Sequence, residues 1–333
     1  MTGAKPKQSF CDIIMLILRP MYYDSQDVER KGLYAMTPYI PRVAAIHDLS
    51  GFGRNSLSVV IPILSTMGAQ AVALPTAVLS THTGGFEGYA FEDLTGFMQK
   101  AIAHWETLGI LFQCIYSGFL GSPSQVTLVA DLIEAQRGGN PLVVVDPVLA
   151  DDGRLYVTMD MAMVDGMRRL IRRADVITPN LTEAALLLDE AYRPDLPEDE
   201  LKRWLVDLAA MGPATVVVTS APLSRRGKDT SVVAYDRRGG HFWRVPCVYI
   251  PANYPGTGDV FTSVLTGSLL QGDSLPVALD RSVSFVTQAI RASYGFDYPR
   301  RDGVLLERVL NSLNGPVVSG SYEWLDERED EQW

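Results

Sequence analysis

The chain has 333 residues, 47% of them hydrophobic and 20% charged, and carries a formal net charge of −10. This is an ordinary soluble composition, long enough for one large α/β domain or two smaller ones, and its acidity argues against nucleic acid as the main partner, because phosphate would be repelled. Cys11, Cys114 and Cys247 are too scattered for a disulfide framework or a zinc pattern, which fits a reducing, cytoplasmic setting, and His47, His82, His104 and His241 show no metal-ligand spacing.

Residues 1–41 do not share the patterning of the rest of the chain and are expected to be a poorly ordered N-terminal extension. Ile13 to Leu18 is apolar but is cut by Arg19-Pro20. It is too short to span a bilayer and has no small-residue cleavage site behind it, so neither a membrane anchor nor a secretory signal is expected. Met36 is an alternative start.

Val43 to His47 reads as a buried strand, Asp48 to Gly53 as a turn, and Asn55 to Met67 as a helix that Pro62 should kink or break. Gly51-Phe52-Gly53 begins like a dinucleotide fingerprint, but Ser56 stands where the third glycine belongs. Ala71 to Leu74 is a second strand, followed by a polar, glycine-rich stretch from Ser80 to Tyr89 that suits a binding loop. An amphipathic helix is expected from Phe91 to Trp105, a strand from Phe112 to Tyr116 and a helix from Gln125 to Gln136. Leu142 to Val145 is wholly apolar, as strands covered on both faces are, and it ends on Asp146. A carboxylate at the end of a central parallel strand points at the crevice where open α/β sheets bind ligands.

A helix then runs through Arg172, and Asp175 to Asn180 leads into a helix opened by Leu181-Thr182-Glu183. Thr182 or Asn180 could cap that helix, so Glu183 in its first turn has a local role open to it, as complement to the helix dipole. Leu201 to Met211 reads as helix and Ala214 to Thr219 as strand. A basic turn with Arg225, Arg226 and Lys228 comes next, then a hairpin of Ser231–Tyr235 and His241–Pro246. Leu275 to Tyr294 and Gly303 to Leu313 are the last helices expected, and residues 316–333 form an acidic, mobile tail. Strands alternating with helices, without a linker-like stretch, predict one domain over residues 42–315.

The chemistry gathers at Gly256-Thr257-Gly258-Asp259, a glycine turn opening a helix whose apolar positions continue through Val260, Phe261, Val264 and Leu265. Free amides at such a start, with glycines that admit close approach, suit an anion such as phosphate. Asp259 there is either a helix cap or a general base. Asp146 and Glu183 are carboxylates of the kind that hold hydrated Mg²⁺, and the segments around Ser50 and Thr83 can hold an acceptor. Phosphoryl transfer requires such a set.

These residues also resemble a known family. The order and spacing of His82-Thr83-Gly84, Asp146-Pro147-Val148-Leu149-Ala150-Asp151, Ile177-Thr178-Pro179-Asn180 with Glu183, Val218-Thr219-Ser220 and Gly256-Thr257-Gly258-Asp259 are similar to those of the ribokinase-like superfamily. Within it they most resemble the pyridoxal/pyridoxine/pyridoxamine kinases of vitamin B6 salvage. The resemblance runs from Arg42 to about Leu313. It implies a three-layer α/β/α fold with a central, mostly parallel sheet and helices on both faces. It further implies ATP as donor, Mg²⁺ and often K⁺ as ions, a B6 vitamer as acceptor, and a homodimer without nucleic-acid or membrane partners.

Carried over by position, Asp259 resembles the base for the 5′-hydroxymethyl proton, and Gly256, Thr257 and Gly258 the anion hole. Asp146 and Glu183 resemble the acids around metal and phosphates, with Asp151 beside them, and Asn180, Thr219 and Ser220 resemble ATP contacts. Thr83, Phe119 and Asp48 would face the pyridine ring. Animal-type kinases have serine where Asp48 stands and tyrosine where Phe119 stands, and an acidic residue 48 would favour an amine-bearing vitamer. The alternatives are a kinase of the same fold for hydroxymethylpyrimidine or another small acceptor, and a non-catalytic nucleotide-binding protein.

Overall fold

The computed structural model describes residues 40–223, 230–315 and 320–325. In chain order the first half of the fold is β1 (Arg42–Phe52), α1 (Leu57–Thr66), β2 (Gln70–Thr81), β3 (Phe91–Asp93), α2 (Thr95–Thr107), β4 (Cys114–Ser117), α3 (Pro123–Gln136) and β5 (Leu142–Val145). It continues through the small hairpin β6 (Ala150–Asp151) and β7 (Arg154–Leu155), then α4 (Met161–Ile171), β8 (Val176–Ile177), α5 (Leu181–Leu188) and α6 (Glu198–Ala210). Last come β9 (Thr215–Ala221), β10 (Thr230–Asp236), β11 (His241–Cys247), α7 (Thr257–Gln271), α8 (Leu275–Tyr294) and β12 (Glu323–Trp324).

Ten of these strands form one sheet in the order β12-β11-β10-β9-β8-β5-β4-β1-β2-β3. The run from β2 to β9 is parallel, and the strands at its two edges are antiparallel. Alternation along the central strands sends side chains to two separate cores. Ala44 and Ile46 join the helices α2 to α6 on one face, whereas Val43 and Ala45 join α1, α7 and α8 on the other. The result is the expected three-layer α/β/α arrangement.

Several local expectations change. β1 does not turn at Asp48; after a register shift between His47 and Leu49 it continues to Phe52, because β2 also runs on to Thr81 and supplies partners. Pro62 does not end α1. A helix-interior proline costs ~3 kcal/mol, and the buried Leu57, Val59, Val60, Ile63 and Leu64 outweigh it at ~1.5–3 kcal/mol each. Phe91–Asp93 is an edge strand on β2 rather than the first helical turn, and Asp93 Oδ1 accepts from the Thr95 N–H at 2.9 Å as the helix begins.

The helix expected from Gly303 is instead a series of 3₁₀ turns, at Arg300–Asp302, Leu306–Arg308 and Leu310–Asn314. Val304, Leu306, Val309 and Leu313 are drawn into a third core with residues of α1, α7 and α8. The tail is not wholly free either: Glu323 and Trp324 pair antiparallel with Arg244 and Trp243 on β11. The N-terminal extension up to residue 39, the basic turn at Arg225, Arg226 and Lys228, and the rest of the tail lie outside the described residues. Among those described, no helix is long and apolar enough to cross a membrane.

Candidate active site

The chain leaves β1 for β2 on one side and returns to β4 on the other. The carboxyl ends of β1 and β4 therefore splay apart, which is where an open α/β sheet forms its binding crevice. A cleft of about 660 Å³ opens there, and all thirteen residues singled out from the sequence line it. Asp48 belongs to β1, Thr83 follows β2, Phe119 follows β4, and Asp146 follows β5. Asp151 lies on the β6–β7 hairpin, Asn180 and Glu183 open α5, Thr219 and Ser220 end β9, and Gly256, Thr257, Gly258 and Asp259 open α7.

The N-termini of α1 and α7 meet in this cleft. Gly256 is the N-cap of α7 with φ 83°, and a Cβ there would lie 2.3 Å from the Arg54 carbonyl oxygen, so both conformation and space require glycine. The N-cap of α7 is Gly256, and Asp259 lies in the first turn. Its Oδ2 accepts the backbone N–H of Ser56, the N-cap of α1, at 2.8 Å. Asp259 thus stands in the first turn of α7 rather than at its cap position, and one of its oxygens serves the start of α1. Ser56 itself holds φ 49°, a strained value for a residue with a side chain. Burial, helped by the charges of Asp146 and Asp48, pushes the Asp259 carboxyl up to about 8, with the Ser56 N–H pulling the other way.

Asp146 is buried at the end of β5, where burial pushes it up to about 7 and the Thr262 hydroxyl lies 3.3 Å from its Oδ2. Thr262 also meets Thr178 at 3.0 Å, so α7 is tied to the ends of β5 and β8 by hydroxyls. Glu183 is more enclosed than its expected role suggests. Its Oε1 accepts the Leu149 N–H at 3.0 Å, and its Oε2 accepts the Asn180 N–H at 2.9 Å. Asn180 Oδ1 accepts the Glu183 N–H at 2.9 Å in return, a capping box, and its Nδ2 donates to the Ala150 carbonyl at 2.7 Å. Both side chains thus brace the segment that carries Asp151. Burial and the Asp146 charge push the Glu183 carboxyl well up.

Of the residues expected to meet the acceptor, Asp48 is buried, with the Ser50 hydroxyl donating to its Oδ2 at 3.0 Å, and burial pushes its carboxyl up. Thr83 is exposed on a segment rooted by His82, whose Nε2 meets the Arg301 carbonyl at 2.6 Å while its Nδ1 accepts the Gly84 N–H at 3.1 Å. Ser220 holds φ 58° beside Thr219, which bridges to Asn180. Three contributors went unrecognised in the sequence. Ser56 acts through its backbone, and Arg301 does so through a carbonyl, so neither leaves a side-chain signal. His47, adjacent to Asp48, comes within 3.9 Å of Asp259 only through the strand's register.

The layered sheet and a glycine-bounded helix start with its aspartate at the switch point are those of the ribokinase-like kinases. Over residues 61–302 the chain matches the phosphomethylpyrimidine kinase family, and it belongs to that family. A candidate phosphomethylpyrimidine kinase from Bacteroides thetaiotaomicron, solved with pyridoxal, is 55% identical with a TM-score of 0.83, covering 86% of this chain and 100% of that one. The pyridoxine/pyridoxal/pyridoxamine kinase of Bordetella avium is 31% identical over 265 residues, 76% of this chain and 86% of that protein. The thiamine biosynthesis multifunctional protein of Corynebacterium glutamicum is 27% identical over 79% of this chain, which spans only 33% of that longer protein.

Proposed function

We propose that this protein transfers the terminal phosphoryl group of ATP to the 5′-hydroxymethyl group of pyridoxal, pyridoxine or pyridoxamine. The observation that carries this reading is Asp259. It is a carboxylate set at two converging helix starts, held by one oxygen on the Ser56 N–H and raised to about 8, near the pH at which a base must work.

The acceptor oxygen loses its proton to Asp259 as it bonds to the terminal phosphorus, and the bond from that phosphorus to the departing nucleoside diphosphate breaks. The amides of Gly256, Thr257 and Gly258 face the charge that builds on the transferring group, aided by the positive end of α7. Asp48, Thr83 and Phe119 orient the ring. Thr219 and Ser220 contact the nucleotide, and Asn180 serves it by holding Ala150 and Asp151 in place.

The described lining of the cleft contains no lysine or arginine, and Asp146 and Glu183 are two buried acids without a cationic neighbour there. That donor set fits Mg²⁺, which binds through one or two carboxylates plus phosphate oxygens. Asp146 would hold it, with Glu183 behind, and the ion would neutralise phosphate charge. A K⁺ requirement belongs to the same reading.

A second acceptor fits the same site: hydroxymethylpyrimidine, whose hydroxymethyl group on a flat heteroaromatic ring presents the same chemistry to Asp259; the matching family is described by a methylpyrimidine acceptor, though a phosphorylated one. Purified protein with ATP and Mg²⁺, in K⁺ or Na⁺, presented with each vitamer and with hydroxymethylpyrimidine, separates the two by the phosphate ester formed. Nucleotide binding without any ester would support the non-catalytic alternative.

The catalytic unit of this reading is residues 42–315. We place it in the cytoplasm, where the buried Cys114 stays a thiol, and cell fractionation checks this. A homodimer fits the exposed Val78 and Phe91 at the β2–β3 edge of the sheet, with sedimentation as its test.

A further inference from the structure

His47 ends the apolar run of β1 on the face that meets α1 and α7. It is fully buried, and neither ring nitrogen has a hydrogen-bond partner. An unpaired buried polar group costs about 1–3 kcal/mol, so such a side chain calls for a compensating role. Its Nδ1 lies 3.9 Å from Asp259 Oδ1, the carboxylate oxygen that Ser56 does not hold.

The imidazole is held where it is on two sides. The edge of Tyr116 meets it with ring centroids 4.4 Å apart and planes at 79°. Gly118 leaves the space it occupies: a Cβ at 118 would lie 2.2 Å from Nδ1. Gly118 has no positive φ among the glycines that do, so this position is glycine for room and not for a turn.

We propose that His47 is a positioning residue for the general base, presenting a neutral Nδ1–H to Asp259 Oδ1 and fixing that carboxylate for proton abstraction. The inference rests on the reading of Asp259 as base. Hydrogen bonds of catalytic groups are often long before substrate binds and tighten in the working complex, and less than an ångström separates 3.9 Å from a bond. A relay that puts the proton on His47 is disfavoured, because burial pushes the imidazole down to about 3 while Asp259 is pushed up to about 8. A donor facing the carboxylate favours its ionised form, and so opposes the burial and the Asp146 and Asp48 charges that keep it protonated. The other groups around the pair are the Ser56 N–H from α1 and the Tyr116 ring from β4.

The test joins a spectroscopic readout to a kinetic one, on the full chain. ¹⁵N spectra of histidine-labelled protein, taken above the value of about 8 at which Asp259 ionises, are expected to show His47 neutral, in the Nδ1–H form, with a resonance that moves in Asp259→Asn. The Nε2–H form, or no response to Asp259→Asn, overturns the proposal. In kinetics, His47→Leu should lower kcat by up to roughly 10²-fold while leaving acceptor KM in place, and should move the acid limb of kcat to higher pH. His47→Gln, which keeps an N–H, should recover part of the loss. Gly118→Ala should lower kcat alone and add nothing to His47→Leu. A folded His47→Leu with unchanged kcat and unchanged acid limb overturns the proposal. If His47→Leu does not fold, the tautomer and His47→Gln decide it. Should the wild type phosphorylate none of the acceptors, the functional reading fails, and the spectra still decide whether His47 and Asp259 are coupled.

Discussion

Ser56 and Asp259 lie 203 positions apart in the chain and 2.8 Å apart in the fold, the backbone N–H of the first donating to Oδ2 of the second. This bond joins the starts of α1 and α7 through Oδ2 and leaves Oδ1 for the role proposed for it. It also explains why the segment from Arg54 to Ser56 is packed so tightly under Gly256, and why Ser56 keeps a strained backbone.

Asp259→Asn keeps the shape of the side chain and the acceptor for Ser56 while removing the base. Steady-state kinetics should show kcat lower by roughly 10²–10⁴ with the far-UV spectrum unchanged. A stability-only effect would return Asp259 to a structural role.

The same carboxyl predicts a dependence of stability on pH. Its value rises from 3.8 in the unfolded chain to about 8 in the fold. Between those values the folded protein keeps a proton that the unfolded chain has released, so stability falls as pH rises through the window. Melting curves of ligand-free protein from about pH 5 to about pH 8 should show a decline that is shallower in Asp259→Asn.

Gly256→Ala should cost more than a helix-start substitution normally does, because its Cβ would meet the Arg54 carbonyl and its φ is positive. The expected result is loss of kinase turnover together with a lower melting temperature, as the Ser56–Asp259 bond is pushed apart. Equal activity and stability would show that the two helix starts do not need this contact.

Glu183 accepts backbone N–H groups with both oxygens, so Glu183→Ala leaves buried donors unpaired and should destabilise the fold by about 1–3 kcal/mol by denaturant titration. Asp146→Asn should instead raise the Mg²⁺ concentration needed for half-maximal rate while changing stability little. The reverse pattern would exchange the roles assigned to the two acids.

Asp48→Ser should lower the ratio of pyridoxamine to pyridoxal turnover, since the buried carboxylate favours an amine-bearing acceptor. An unchanged ratio in a vitamer-competition assay would remove Asp48 from acceptor selection.

Much of this architecture can be read from the chain because its signals are local. Leu142 to Asp146 announces a covered strand ending in a carboxylate, and Gly256 to Asp259 announces a helix start with room for an anion. What could not be read depends on distant partners. The extension of β1 past Asp48 needs the register of β2, and the edge strand at Phe91 needs the backbone of Ala77 to Leu79. The 3₁₀ turns after Gly303 answer to α1 and α8. Asn180 and Glu183 show both sides of the matter. A helix start with an acid in its first turn was visible, yet only the fold shows that the two form a capping box and also hold Leu149 and Ala150.

The most direct measurement is phosphate-ester formation from ATP and Mg²⁺ by wild type and Asp259→Asn, side by side, with pyridoxal, pyridoxine, pyridoxamine and hydroxymethylpyrimidine. The account predicts 5′-phosphorylated vitamer from the wild type and a loss of roughly 10²–10⁴ in the variant. Turnover of a vitamer that Asp259→Asn leaves intact, or no ester with any acceptor, would contradict it.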